Sequence, residues 1–346
     1  MGILLGILIF SILILVHEFG HFIFAKYFGV KVNQFAIGFG PTLFKKQGKE
    51  TLYSVKLFPF GGFCELEGED DTIDESNDRA MLNKPRWQQA IIAVAGPVFN
   101  LIFAFLLSCV FISCVGYVKP EIASVDDNSP AAEAGLLPGD EIIKINNYSV
   151  HFYQEVRTYL FFNKTKPVLL KYLRDGDVYT AEVLPVYDET LGSYAIGAKT
   201  HGVYEKCNAI DTLLYGAYNI KHEAVVTVKS VISLFSGQVS VKDMQGAIGI
   251  VDYVSDVYNE ARVISLKQVF IQMLNLITLL SVNLAIMNLL PIPALDGGRI
   301  FIILIEKITM SRISKQVEAV LNSVGFVLLM ILMIYLAIQD VIKLYV

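Results

Sequence analysis

Hydrophobic residues in this chain gather into four long runs, at about residues 3–25, 90–115, 269–290 and 317–338. Charge and turn residues return between them. Each run reaches the roughly 20 residues that a helix needs to span a hydrocarbon core, so each predicts a transmembrane helix. An even number puts both termini on one side. Between the first two runs, 32–44 and 51–66 are rich in β-branched and aromatic residues and broken by Gly38, Gly40, Pro59, Gly61 and Gly62. That texture predicts short strands and tight turns. A sheet beside a membrane needs its backbone buried in protein or wet, since lipid cannot satisfy it, and an open strand edge there would suit an extended peptide. An ordinary hairpin fits the same residues. The acidic run 65–78 reads as solvated.

The stretch after the second run changes character. Within 117–186, strand-like runs such as EIASV, EIIKIN and VLLKYL alternate with proline and glycine. NSPAAEAGLLPGDEIIKINN, at 128–147, places Ser129 and Pro130 at the opening of a short helix, Gly135 at its end, and Pro138-Gly139-Asp140 in a turn into a strand. This segment resembles the PDZ domain, a fold that adds extended peptides to a sheet edge. Residues 202–266 say least. Near-helical apolar spacing over 210–235, interrupted by Lys221, His222, Glu223 and Lys229, predicts a helical connector on the membrane surface or against the bundle. His151, His201 and His222 have no second histidine at ligand spacing and read as solvated.

The first run carries the chemistry. ILLGILIFSILILVHEFGHFIFAKYF holds no charge before His17, Glu18 and His21 appear together. On a helix, positions four apart share a face, so both imidazoles point one way with Glu18 beside them. This is H-E-x-x-H, in which two histidines bind zinc and the glutamate is general base. Ionisable groups at membrane depth cost a few kcal/mol each and persist mainly where they pair, bind ions or react.

Composition agrees with a membrane protein. The 346 residues are 54% hydrophobic, with a net charge of −5 and no basic block suited to nucleic acid. Mean hydropathy is +0.53. The four cysteines, Cys64, Cys109, Cys114 and Cys207, show no C-x-x-C spacing and indicate neither a disulfide framework nor a cysteine zinc site. The N-terminus lacks the basic flank and cleavage site of a signal peptide and reads as a retained first helix. Nine lysines and arginines between Lys26 and Arg86, with Arg299, Lys307, Arg312 and Lys315 after the third run, assign those loops to the cytoplasm. Both termini and the PDZ-like segment are then extracytoplasmic, and the site lies towards the cytoplasmic side.

Two histidines leave a catalytic zinc short of a third ligand. Asp296, in NLLPIPALDGGR at the end of the third run, is the best candidate, because Pro291 and Pro293 break the helix and Gly297 and Gly298 allow close backbone approach. A charged helix cap is the bland alternative, but the topology brings both halves to the same depth. Asn100, Asn283 and Asn288 add intramembrane amides that either bind helices together or contact substrate; Asn288, nearest Asp296, best suits substrate.

HEFGH, GPVFN, a PDZ-like insert and NLLPIPALDGG, in that order, resemble the site-2 protease family of intramembrane zinc metalloproteases. They come closest to the bacterial branch that cleaves anti-sigma factors and signal-peptide remnants. The resemblance implies zinc (Zn2+) held by His17, His21 and Asp296, with Glu18 as catalytic acid–base. It further implies that single-span membrane proteins are cut within or near their transmembrane segment after an earlier cut has removed the ectodomain. AIGFGP and FPFGGF resemble the family's membrane-associated β segments. MQGAIGI, at 244–250, resembles its G-P-V-G-I element with Ala247 in place of proline. The family favours a sieving role for the PDZ-like unit over capture of C-termini.

The expected fold is a polytopic α-helical membrane protein with four transmembrane helices, a membrane-associated β segment and one inserted extracytoplasmic PDZ-like domain. Its domains are 1–116, with the β-rich loop at 26–88, the PDZ-like 117–186, the connector 187–266, and 267–346. The rival readings are a membrane-anchored PDZ scaffold and a metal-ion transporter. The bilayer and single-span substrates are the expected partners.

Overall fold

The structure, a computed structural model, describes residues 2–68, 77–240, 244–311 and 313–345. Arg312 and most of the acidic run 65–78, at 69–76, lie outside the described residues. In chain order the elements are α1 (Gly2–Tyr27), β1 (Val32–Gln47), β2 (Leu52–Leu66), α2 (Arg86–Val115), β3 (Tyr117–Val118), β4 (Ser124–Val125), α3 (Pro130–Glu133), β5 (Glu141–Ile145) and β6 (Tyr148–Ser149). There follow α4 (Tyr153–Asn163), β7 (Val168–Arg174), β8 (Asp177–Val183), β9 (Val186–Asp188), β10 (Ser193–Ala195), β11 (Ala198–Lys199) and β12 (Tyr204–Glu205). The chain closes with α5 (Ala209–Phe235), α6 (Ala247–Ile264), α7 (Leu266–Asn288), α8 (Asp296–Thr309) and α9 (Lys315–Tyr345). Two compact units result, one of Met1–Leu107 with Ser230–Val346 and one of Ser108–Lys229.

Among the described residues, four helices are long and apolar enough to cross a membrane: Gly2–Tyr27, Arg86–Val115, Leu266–Asn288 and Gln316–Lys343. At 1.5 Å per residue the 26 residues of α1 extend about 39 Å, more than the roughly 30 Å of a hydrocarbon core. The root of the sheet packs on the end of α1 and the start of α2, through Ala25, Val30, Val32, Leu66, Met81 and Ile92, all buried.

β1 and β2 pair antiparallel and bend so strongly that they behave as four short strands. Residues 32–37 face 62–66, and 42–47 face 52–56, while 34–37 also lie beside 52–55. The order across the sheet is 62–66, 32–37, 52–56, 42–47. Gly38 allows the first bend: its φ is +83°, and a methyl there would lie 2.4 Å from the Phe58 carbonyl oxygen. Below the sheet Glu50 accepts from both Lys26 and Arg79, which hold its carboxyl down to about 2.

The segment that the sequence left vague, 202–266, contributes a bundle helix. α6 packs against the start of α1, where methyls on Gly2 and Gly6 would strike Ser255 and Val251. Val254 joins Ile9, Leu13, Met273 and Leu276 in a common core. Ala247 is the first residue of α6, the position where proline is best tolerated, which accounts for the proline usual in the G-P-V-G-I element. Buried Asp340 of α9 caps this helix, accepting from the Gly246 and Gly249 N–H groups at 3.1 and 2.8 Å.

The second unit has a four-stranded sheet, β6-β5-β7-β8, over a core of Ile122, Leu136, Ile142, Ile145, Val168 and Leu170. Ser129 caps α3 by accepting from the Ala132 N–H, and Gly135 and Gly139 take positive φ at the two expected turns. Asp140, fully buried, accepts from the Leu137 N–H and from Arg174 through Nε at 2.6 Å and Nη2 at 2.7 Å. The inserted fold runs past the expected end at residue 186. Ile196 and Ala198 belong to its core, and β11 pairs with β4, because the sheet edge near the start of the insert is closed by chain that comes back after β10. Two histidines expected to be solvated are not. His151 stacks on Tyr218 at 3.5 Å between ring centroids, and His222 is buried against Phe152, because α5 presents its aromatic face to the insert. Burial pushes both imidazoles below their ordinary pKa.

Candidate metal centre and active site

Helical periodicity puts His17 and His21 on one face of α1, with Nε2 atoms 3.2 Å apart and rings edge to face. The face can be used because α2 comes unusually near. A methyl on Gly20 would lie 2.4 Å from the Ala95 carbonyl oxygen, and one on Gly96 would lie 2.3 Å from His21 Nε2. Pro97 follows at once and leaves the Ala93 carbonyl without its helical donor, loosening α2 beside the site. One residue earlier, the Ile92 carbonyl takes the His21 Nδ1 proton at 2.8 Å, which fixes the tautomer and leaves the Nε2 lone pair outward.

Asp296 arrives from the far end of the chain. After α7, Pro291 and Pro293 turn the backbone, Ala294 takes φ +72°, and Asp296 begins α8. Gly297 and Gly298 are pressed against the turn, since methyls there would meet the Leu290 and Ile292 carbonyl oxygens at 2.2 and 2.3 Å. Asp296 Oδ2 then lies 3.0 Å from His17 Nε2 and 3.4 Å from His21 Nε2. Among the described residues these are the three side chains whose donor atoms gather within 4.8 Å as a metal site requires.

The geometry suits zinc. Ligand atoms placed tetrahedrally at about 2.0–2.2 Å from an ion are roughly 3.3–3.6 Å apart, and the three distances here are 3.0, 3.2 and 3.4 Å. Asp296 Oδ2 is buried without a hydrogen bond. With its Nδ1 committed to Ile92, His21 turns a lone pair rather than a proton towards that oxygen, and a cation seated between them would make the cluster favourable.

Glu18 is held beside the cluster by the sheet, its Oε2 accepting from the Cys64 N–H at 3.0 Å. Cys64 lies in the edge segment 62–66, so the strand edge faces the site. A cavity of about 250 Å³ opens here, lined by His17, Glu18, His21, Cys64, Asn288, Asp296 and Arg299 among others.

The three asparagines part company. Asn288 lines this cavity. Asn283 does not, because five residues of helix turn it about 140° away from Asn288. Asn100 is fully buried behind His17, its amide 3.4 Å from Nδ1, a place that suits support of the imidazole rather than the substrate contact expected of it. Its Oδ1 is buried and unpartnered. A half-turn of the amide gives that oxygen the His17 Nδ1 proton, satisfying both groups. Ser281 anchors the same residue by donating to its carbonyl at 2.8 Å. Asn100→Ala should therefore weaken zinc binding by about 10–100-fold, measured by chelator competition, with the helical spectrum unchanged. Sequence reasoning missed the Cys64 amide, the Ile92 carbonyl and Arg299. Of these only the Gly-Pro pair beside Ile92 left a trace in the sequence.

Residues 5–332 match the profile of peptidase family M50. The chain belongs to that family, the site-2 proteases. It is 37% identical over 345 residues to a candidate zinc metalloprotease of Clostridium acetobutylicum, covering 99% of this chain and 97% of the relative. It is 28% identical over 426 residues to the zinc metalloprotease RasP of Bacillus licheniformis, covering 98% of each. The PDZ domain of an SdrC-like protein from Listeria monocytogenes covers 25% of this chain and 92% of its own, at 27% identity and a TM-score of 0.23. This M50 protein is an intramembrane zinc metalloprotease and a multi-pass membrane protein. The scaffold and transporter readings fall away.

Proposed function

We propose that His17, His21 and Asp296 hold the zinc of this protease, and that Glu18 is its acid–base residue. We further propose that it cuts single-span membrane proteins within or near their transmembrane segment, after an earlier cut has shortened their ectodomain. One observation carries the reading: three acceptor atoms from α1 and α8 meet at metal-ligand spacing beside a carboxylate that is not among them. Zinc, when bound there, supplies Lewis acidity that polarises the scissile carbonyl. Glu18 keeps Oε2 on the Cys64 amide and uses its other oxygen to take the proton of the attacking water and deliver it to the leaving amine. Asn288 binds the substrate backbone, and the edge 62–66 holds the unwound segment extended. Unwinding is required because a helix has already committed its amides.

The basic loops put this site towards the cytoplasm and the insert, with both termini, on the opposite side. There the insert excludes bulky ectodomains. The test is cleavage in liposomes of one single-span substrate in two forms, trimmed and with a folded ectodomain intact. The trimmed form should be cut faster, at a bond that product masses place inside the span. A cut in the soluble portion, or equal rates for both forms, would refute the reading.

A further inference from the structure

A second cavity lies on the other flank of α1, and the mechanism makes no use of it. It measures about 350 Å³, within the range of small-ligand pockets, and is walled by Phe19 and Phe22 of α1 with Phe35, Ile37, Tyr53 and Val55 of the sheet. Lys45 and Lys46 form its rim. Both are exposed, and neither forms an ion pair among the described residues. The hairpin around it is apolar on its outer surface as well, with Phe39, Leu43, Phe44, Leu57 and Phe58 all exposed.

We propose that this groove binds one anionic phospholipid, with an acyl chain between α1 and the sheet and the phosphate on Lys45 and Lys46. A peptide would need partners for its own amides, and the floor at 35–37 and 53–55 offers none; the free edge of the sheet on this side, 42–47, lies at the rim beyond them. Residues 35–37 are paired on both sides, with 62–64 and 53–55, and 53–55 are paired with 35–37 and 44–46. An acyl chain makes no such demand, and the walls are almost wholly hydrocarbon and aromatic. Depth agrees. Phe22 is five residues from the end of α1, about 8 Å along the axis, so the groove opens where acyl chains begin below the headgroups. Lysines on flexible stems at that level reach lipid phosphates and select negative headgroups. The Lys26 ammonium, also near Phe22, is committed to Glu50 and does not compete.

The test uses the full-length protein in detergent, given equal amounts of phosphatidylglycerol and phosphatidylcholine with identical chains, and read by native mass spectrometry. The wild type should retain phosphatidylglycerol selectively. Neutralising each lysine should reduce that selectivity about five-fold, so K45Q/K46Q should lose about 25-fold. A phosphatidylglycerol carrying a diazirine near the end of its chain should label Phe22, Phe35, Ile37 or Val55 in the unmodified protein, whether or not the double variant folds. Equal retention of the two lipids overturns the proposal, as does labelling confined to other helices. Displacement of the lipid by millimolar inorganic phosphate would reassign the lysines to a free anion. Loss of label on adding a single-span substrate would give the groove to substrate side chains. Either result counts against the lipid.

Discussion

Glu18→Gln should leave one zinc per chain and slow cleavage by about 10²–10⁴-fold, the usual contribution of a positioned acid–base group. The amide replacing the carboxylate has nearly the same shape, and its oxygen still accepts from the Cys64 N–H, so the strand edge stays where it is. What disappears is the capacity to carry a proton from water to the amine. Elemental analysis and the turnover of a single-span substrate must be read on one preparation. Zinc lost together with activity would make Glu18 a ligand, and activity kept would leave the general base elsewhere.

Gly96→Ala should do more harm than removing any supporting residue. The added methyl would lie 2.3 Å from His21 Nε2 and 2.8 Å from His17 Cε1, in the space towards which both lone pairs point. Zinc affinity should fall by more than the roughly 10–100-fold of an outer-shell loss. The substitution also favours helix by up to about 1 kcal/mol, so α2 itself is not weakened. Isothermal titration with zinc, beside a circular dichroism spectrum, separates the two effects. A variant that binds zinc normally would show that α2 can withdraw from α1, and that the close crossing at Gly20 and Gly96 is not needed.

The sequence was most legible where chemistry followed helical period. His17, Glu18 and His21 announce themselves because their spacing is set by one helix and their charge is out of place in an apolar run. Asp296 was readable from its prolines and glycines, which break α7 at a predictable place. Residues that act through tertiary contact were not readable in the same way. Asn100 looks the same in sequence whether it faces a substrate or the back of an imidazole, and only the approach of α2 decides. The Cys64 amide has no side-chain signature at all. Asp340 and the glycines it caps are separated by more than 90 residues, so nothing local joins them. The insert's end was misjudged at residue 186 because Ile196 and Ala198 complete a core from beyond a turn. α5 gave no sign that its aromatic residues would cover His151.

The ion also has a mechanical consequence. Bound as proposed, it would tie His21 to Asp296 and so clamp the first helix to α8, far along the chain. A cross-link closing so large a loop removes much of the freedom of the open chain, as a disulfide would, but reversibly and under the control of metal supply. On that reading a copy without its ion is a looser protein as well as an inactive one, and should be cut faster by an added protease.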